Sequence, residues 1–145
     1  MLQFRISLLS LASLSLVFGG CSGPDKNWKE TIPVSGIVMV DGAAAEGVMV
    51  KFHPVAGMDT EQPTETTALT DKEGKFVAST YEMGDGVPAG QYQVTFEWPK
   101  LDKISMSFSG DKLKGRYSKP AKSDYEIDVV SGQPIDMGTV ELKGK

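Results

Sequence analysis

The sequence predicts an all-β protein, a single antiparallel β-sandwich of about seven short strands over residues 33–145. Three observations predict it. From Pro33 onward apolar residues recur with a period of two. Clusters of Gly, Asp, Pro and Ser interrupt the alternating runs. No window carries the i, i+3, i+4 spacing of an amphipathic helix. One-sided alternation also argues against a parallel sheet covered on both faces.

The elements follow in order. Val34, Gly36, Val38 and Val40 share one face of a first strand, and Asp41-Gly42 marks a turn. Val48, Val50 and Phe52 alternate with Met49, Lys51 and His53. Asp71-Lys72-Glu73-Gly74 joins Thr67–Thr70 to Lys75–Ser79, with Gly74 suited to the left-handed position of a short hairpin loop. Gly84–Gly90 precedes the clearest strand, Gln91–Trp98, where Tyr92, Val94, Phe96 and Trp98 face inward and Gln91, Gln93, Thr95 and Glu97 outward. Tyr125, Ile127 and Val129 form another strand, and Val140 and Leu142 belong to the last.

Residues 1–20 read differently. Arg5 is their one charge, and an apolar run follows from Ile6 to Phe18. A run of about 13 residues is short for a spanning helix, which needs roughly 20. A positive start, a short apolar stretch and small residues before a cut site describe a secretory signal peptide. Cys21, the one cysteine, cannot form an internal disulfide. Gly19-Gly20-Cys21 resembles a bacterial lipobox, with Phe18 standing where Leu is usual. The resemblance implies acylation of the Cys21 sulfur and a mature protein that begins there. Ser22, where an inner-membrane retention signal has Asp, favours the outer membrane by the same resemblance. Residues 21–32 then read as lipidated Cys and tether.

The chain carries 15 Lys+Arg against 19 Asp+Glu, net −4, and loss of residues 1–20 removes only Arg5. An acidic surface excludes a nucleic-acid partner, because phosphate binding needs clustered cations. The basic stretch Lys112, Lys114, Arg116, Lys119 and Lys122 reads as a solvated face.

Val34-Ser35-Gly36-Ile37-Val38 with Asp41-Gly42 and Gly47-Val48, Thr70-Asp71-Lys72-Glu73-Gly74-Lys75-Phe76, and Pro88-Ala89-Gly90-Gln91-Tyr92-Gln93-Val94 stand in that order. Together they resemble carboxypeptidase regulatory-like (transthyretin-like) domains over residues 33–142. Asp111–Pro120, with Leu113, Gly115 and Tyr117, further resembles small planctomycete-type lipoproteins with this domain. The resemblance implies a seven-stranded prealbumin-like (Ig-like) sandwich. It implies no single activity, since fold does not fix function.

The sequence offers no catalytic set. His53, the one histidine, sits on an outward strand position, and no G-x-S-x-G elbow exists. Zinc needs three or four ligands, and one His with a lipidated Cys does not supply them. Asp71 with Glu73, and Glu82 with Asp85, raise calcium, but no D-x-D-x-D-G run is present and turn formation explains them better. No metal or cofactor is expected.

Pro99–Ser123 is long for a sandwich connection. Leu101, Ile104, Met106, Phe108, Leu113 and Tyr117 are expected to cover one end or edge of the sandwich, with 104–108 adding a strand. Leu113 and Tyr117 would share one turn of helix as anchors. The alternative is a partner-binding loop carried by Leu113, Arg116 and Tyr117. The expectation is a membrane-tethered, non-enzymatic envelope lipoprotein that binds or scaffolds a protein or glycan. The alternative is a carbohydrate-binding accessory module using Trp28, Tyr81 and Tyr117.

Overall fold

The computed structural model describes residues 27–145. Cys21 and the leader 1–20 lie outside the described residues. The protein is all-β, with strands β1 (Thr31–Ile32), β2 (Val34–Val40), β3 (Ala43–Ala44), β4 (Met49–Pro54), β5 (Thr66–Leu69), β6 (Lys75–Val77), β7 (Val87–Pro88), β8 (Gly90–Glu97), β9 (Lys100–Asp102), β10 (Ser107–Ser109), β11 (Glu126–Val129) and β12 (Ile135–Leu142). Among the described residues, one 3-10 turn covers Pro120–Lys122. No helix of the described residues is long and apolar enough to cross a membrane.

Two sheets carry the core. One has the order β11-β8-β4-β5, all antiparallel. The other has the order β12-β2-β3, with β6 also paired to β2. Val50, Phe52, Ala68, Val94 and Phe96 from the first meet Val34, Val38, Val40, Phe76, Val140 and Leu142 from the second in one buried cluster. Alternation explains this: each β2 residue in the phase Val34, Gly36, Val38, Val40 is buried, and the residues between them are half-exposed. The ring of Phe96 meets Tyr125 edge-on at 5.2 Å. Gly74 lies at φ 75°, and a Cβ there would stand 2.4 Å from the Val38 carbonyl oxygen, so glycine is required at that turn.

The structure corrects four expectations. The β2–β12 pair is parallel, so the sheets are not wholly antiparallel. The first and last long strands run side by side in one direction, with the rest of the domain as the crossover that parallel neighbours require. Secondly, the domain begins before residue 33. Thr31–Ile32 pairs with Val87–Pro88, Ile32 is buried, and a Cβ on Gly86 would stand 2.1 Å from the Ile32 carbonyl oxygen. The tether reading of residues 21–32 therefore fails at its last residues, where backbone pairing and an apolar side chain hold the chain down.

Thirdly, Thr95 is buried although its phase in β8 points outward. β8 lies inside its sheet, and His53 from β4 closes on Thr95, with His53 Nε2 and Thr95 Oγ1 2.8 Å apart. Lastly, Trp98 packs against the core only in part, because it stands just past the end of β8.

Candidate functional site

The chain leaves β8 at Trp98 and returns at Asp111. Two bonds close that loop: Trp98 N–H donates to Asp111 Oδ1 at 2.8 Å, and Lys112 N–H donates to the Trp98 carbonyl at 2.8 Å. The indole is fixed as well. Its Nε1–H donates to the Glu46 carbonyl at 2.9 Å, and the Lys112 ammonium lies 4.2 Å above the ring. A cation over the face of Trp is attracted by the ring quadrupole.

Between these ties the chain forms a separate hairpin. β9 pairs antiparallel with β10, in the register Lys100↔Ser109, Leu101↔Phe108 and Asp102↔Ser107. Leu101 and Phe108 therefore share one face, and Lys100, Asp102, Ser107 and Ser109 the other. The Asp102 carboxylate accepts the N–H groups of Ile104 at 2.8 Å and Ser105 at 3.1 Å. Those backbone bonds hold its carboxyl below the usual range. Ile104 is 97% exposed, Met106 72%, Phe108 70% and Leu101 46%. The expectation that these four residues cover the sandwich is thus wrong. β9 and β10 pair with each other and join neither core sheet, so these side chains gain no core partner.

The return leg behaves oppositely. Asp111 takes three backbone N–H groups, adding Leu113 at 2.9 Å and Gly115 at 2.8 Å to Trp98. Leu113 is fully buried. Tyr117 packs against the core, and its hydroxyl accepts the Lys143 N–H at 2.9 Å. Arg116 is exposed, yet its guanidinium donates to the carbonyls of Lys143 at 3.0 Å and Lys145 at 2.8 Å. Leu113 and Tyr117 are anchors, so the partner-binding reading of Leu113, Arg116 and Tyr117 does not fit their placement: one is buried and the others bond to the C-terminal strand's end. The single helical turn expected there is also absent. Lys114 and Gly115 take φ of 58° and 70°, and successive turns close through Lys114 N–H to Asp111 and Arg116 N–H to Leu113.

Phe108 and Pro99 form one wall of a groove of about 540 Å³, opposite Met49 and Leu69 on β4 and β5. Leu69 continues the apolar surface toward Val77 and the fully exposed Met83. The charge of the region is opposite to that of the chain. Residues 99–123 hold seven Lys or Arg and two Asp, net +5, against −4 for all 145 residues, which leaves −9 elsewhere. Both of those acids direct their carboxylates at backbone N–H groups. The cations of 112–122, which alone read as a solvated face, are continuous along the chain with Lys100 and Lys103. Summing charge over the whole segment is the signal that finds this continuity.

The other candidates are occupied by structural roles. Asp71 accepts the N–H groups of Glu73 at 2.9 Å and Lys75 at 2.8 Å, forming the hairpin loop. Asp85 accepts those of Thr80, Tyr81 and Glu82. Burial pushes the Asp85 carboxyl up, and the three backbone donors pull it further down, to below its ordinary range. Trp28 and Tyr81 stack on one another, 4.8 Å apart and within 5° of parallel, so each uses one ring face on the other rather than on a sugar. Lys29 pairs with Asp59, and that bond, aided by the Gln62 and Glu61 N–H groups, lowers the Asp59 carboxyl to about 2. His53 stands against Thr95, and no group of three or more His, Cys, Asp and Glu suited to a metal occurs among the described residues.

No protein-family model matches the chain, and no curated protein matches it. Among solved structures, a 9R-lipoxygenase from Cyanothece PCC8801 is similar at 14% identity with a TM-score of 0.40, over 78% of this chain. The chain spans 16% of that enzyme's length. Similarity at that level bears on neither the fold nor the activity of this chain.

Proposed function

We propose that the protein is a membrane-tethered, non-enzymatic binding module of the cell envelope, lipid-anchored at Cys21 and of the carboxypeptidase regulatory-like, prealbumin-like class. The observation that carries the binding reading is the Lys100–Ser109 hairpin, whose base is tied by Asp111 and Trp98 while Ile104, Met106 and Phe108 are left in water. Exposed apolar residues gathered on one projecting element mark a contact surface. Apart from the two-residue β3, seven strands make up the two core sheets, which supports the prealbumin-like class. The lipobox-like Gly19-Gly20-Cys21 supports the anchor.

Lys29 lies beside Gly90–Tyr92 at the start of β8, and the hairpin leaves its end. The first described residues and the contact element thus lie toward opposite ends of that eight-residue strand. The test is detergent partition with mass analysis of the mature N-terminus. Wild type should enter the detergent phase and begin with an acylated Cys21, and Cys21→Ser should stay aqueous or uncut. A wild-type protein wholly in the aqueous phase overturns the tether. For the contact element, a photo-cross-linker at position 108 should yield an adduct in intact envelope, and one at position 130 should not.

A further inference from the structure

We propose that the Lys100–Ser109 hairpin is a membrane-contact element that inserts Ile104, Met106 and Phe108 into an anionic lipid bilayer. The proposal names what the hairpin of the module described above touches, and rests on that reading only for the protein's presence at a membrane.

The apolar part fits an interface. Ile104 is 97% exposed and Met106 72%, and both belong to the turn, the part farthest from the ties at Trp98 and Asp111. Interfacial elements bury their apolar face about 5–10 Å deep. A strand of three residues beyond Pro99 reaches about 10 Å, so the turn can enter the headgroup boundary without submerging the fold.

Two of the turn's backbone donors are held within the hairpin by Asp102, whose charged carboxylate, with the open outer edges of β9 and β10, stays at headgroup depth. Unpaired N–H and C=O groups are costly in lipid. Here β9 and β10 pair with each other, and Asp102 takes the Ile104 and Ser105 N–H groups. Protein partners do not require the turn to be satisfied internally, since they can supply the bonds themselves.

Charge selects the lipid. Lys100 and Lys103 lie on the hairpin, and Lys112 and Lys114 follow its base. Long lysine side chains extend from an inserted element to the headgroups. Basic residues beside a membrane are drawn to anionic lipid. Around the hairpin Lys100, Lys103, Lys112 and Lys114 outnumber Asp102 and Asp111, whereas the mature chain outside residues 99–123, without Arg5, carries −10, so an anionic surface favours this end over the rest of the domain.

The test uses residues 21–145 with Cys21→Ser, made without acyl groups, and vesicles of phosphatidylglycerol mixed with phosphatidylcholine or of phosphatidylcholine alone. The protein should sediment with the anionic vesicles at low salt and bind the neutral ones about tenfold or more weakly. Ile104→Asp, and separately Lys100→Glu with Lys103→Glu, should each weaken anionic binding by about tenfold or more with an unchanged melting temperature. Ile104→Trp emission should shift to the blue on adding anionic vesicles. Failure of the unacylated protein to bind anionic vesicles, or wild-type binding by Ile104→Asp, overturns the proposal. So does a lipid-free dimer abolished by Ile104→Asp without vesicle binding, which would assign the hairpin to a second copy. Because this chain carries no acyl group, failure of Cys21 to be acylated in cells leaves the vesicle result standing.

Discussion

The Asp111 carboxylate accepts the backbone N–H of Trp98 at 2.8 Å and thereby divides the segment after β8 into two parts of opposite character. Upstream of Asp111 the apolar side chains point to water, and downstream they enter the core. Replacing Asp111 by Ala removes the acceptor for Trp98, Leu113 and Gly115 together. The loss should be about 2–4 kcal/mol, since hydrogen bonds to a charged acceptor are among the stronger ones and three donors lose their partner. Urea denaturation of Asp111→Ala checks it, and wild-type stability would show that the carboxylate does not hold the segment.

Leu113 and Ile104 provide the sharpest contrast in the segment, 0% against 97% exposed. Leu113→Ala should cost about 2–5 kcal/mol, as for buried leucines elsewhere. Ile104→Ala should stay within about 0.5 kcal/mol of wild type. Thermal melts of the pair decide it, and equal shifts would mean that the hairpin is packed in solution.

Phe96 is fully buried between the two sheets, and Glu97 beside it faces out in an ion pair with Lys51 at 2.8 Å. Phe96→Ala should cost about 3–5 kcal/mol. Glu97→Ala should cost under about 1 kcal/mol, the usual range of a surface pair. Chemical denaturation of both variants measures the difference, and comparable losses would contradict the facing of β8.

His53 couples stability to pH. Burial pushes its imidazole below the usual range, Lys51 adds to that, and Glu97 and Glu65 oppose it. A depressed histidine pKa means that the unfolded chain binds the proton more readily. The contribution is therefore present above the unfolded pKa of about 6.5 and is lost as pH falls below it. The urea midpoint should decline from pH 7 to pH 5, and His53→Gln should flatten that decline. An identical slope in the variant would assign the decline to other groups.

Metal removal should change nothing. The carboxylates of Asp71 and Asp85 are engaged with backbone N–H groups in their loops. EDTA should leave the melting temperature unchanged, and a drop of several degrees would reveal a bound cation that these loops hold.

The sequence by itself determined which residues form the core strands. Strand alternation is local, so the phase Val34-Val38-Val40 or Val50-Phe52 is legible without knowing the partner strand, and those residues are buried. Gly74 was legible for the same reason, because a left-handed turn depends on its own few residues. Only the tertiary structure decided that β2 and β12 run parallel, since direction depends on where two distant segments meet. It alone also decided the opposite fates of two apolar sets within the one segment that follows β8. Phe108 and Leu113 have similar hydrophobicity, and nothing local separates them. Phe108 is carried outward because its strand pairs with Lys100–Asp102, whereas Leu113 is carried inward because Asp111 gathers the N–H groups of Trp98, Leu113 and Gly115 around one carboxylate.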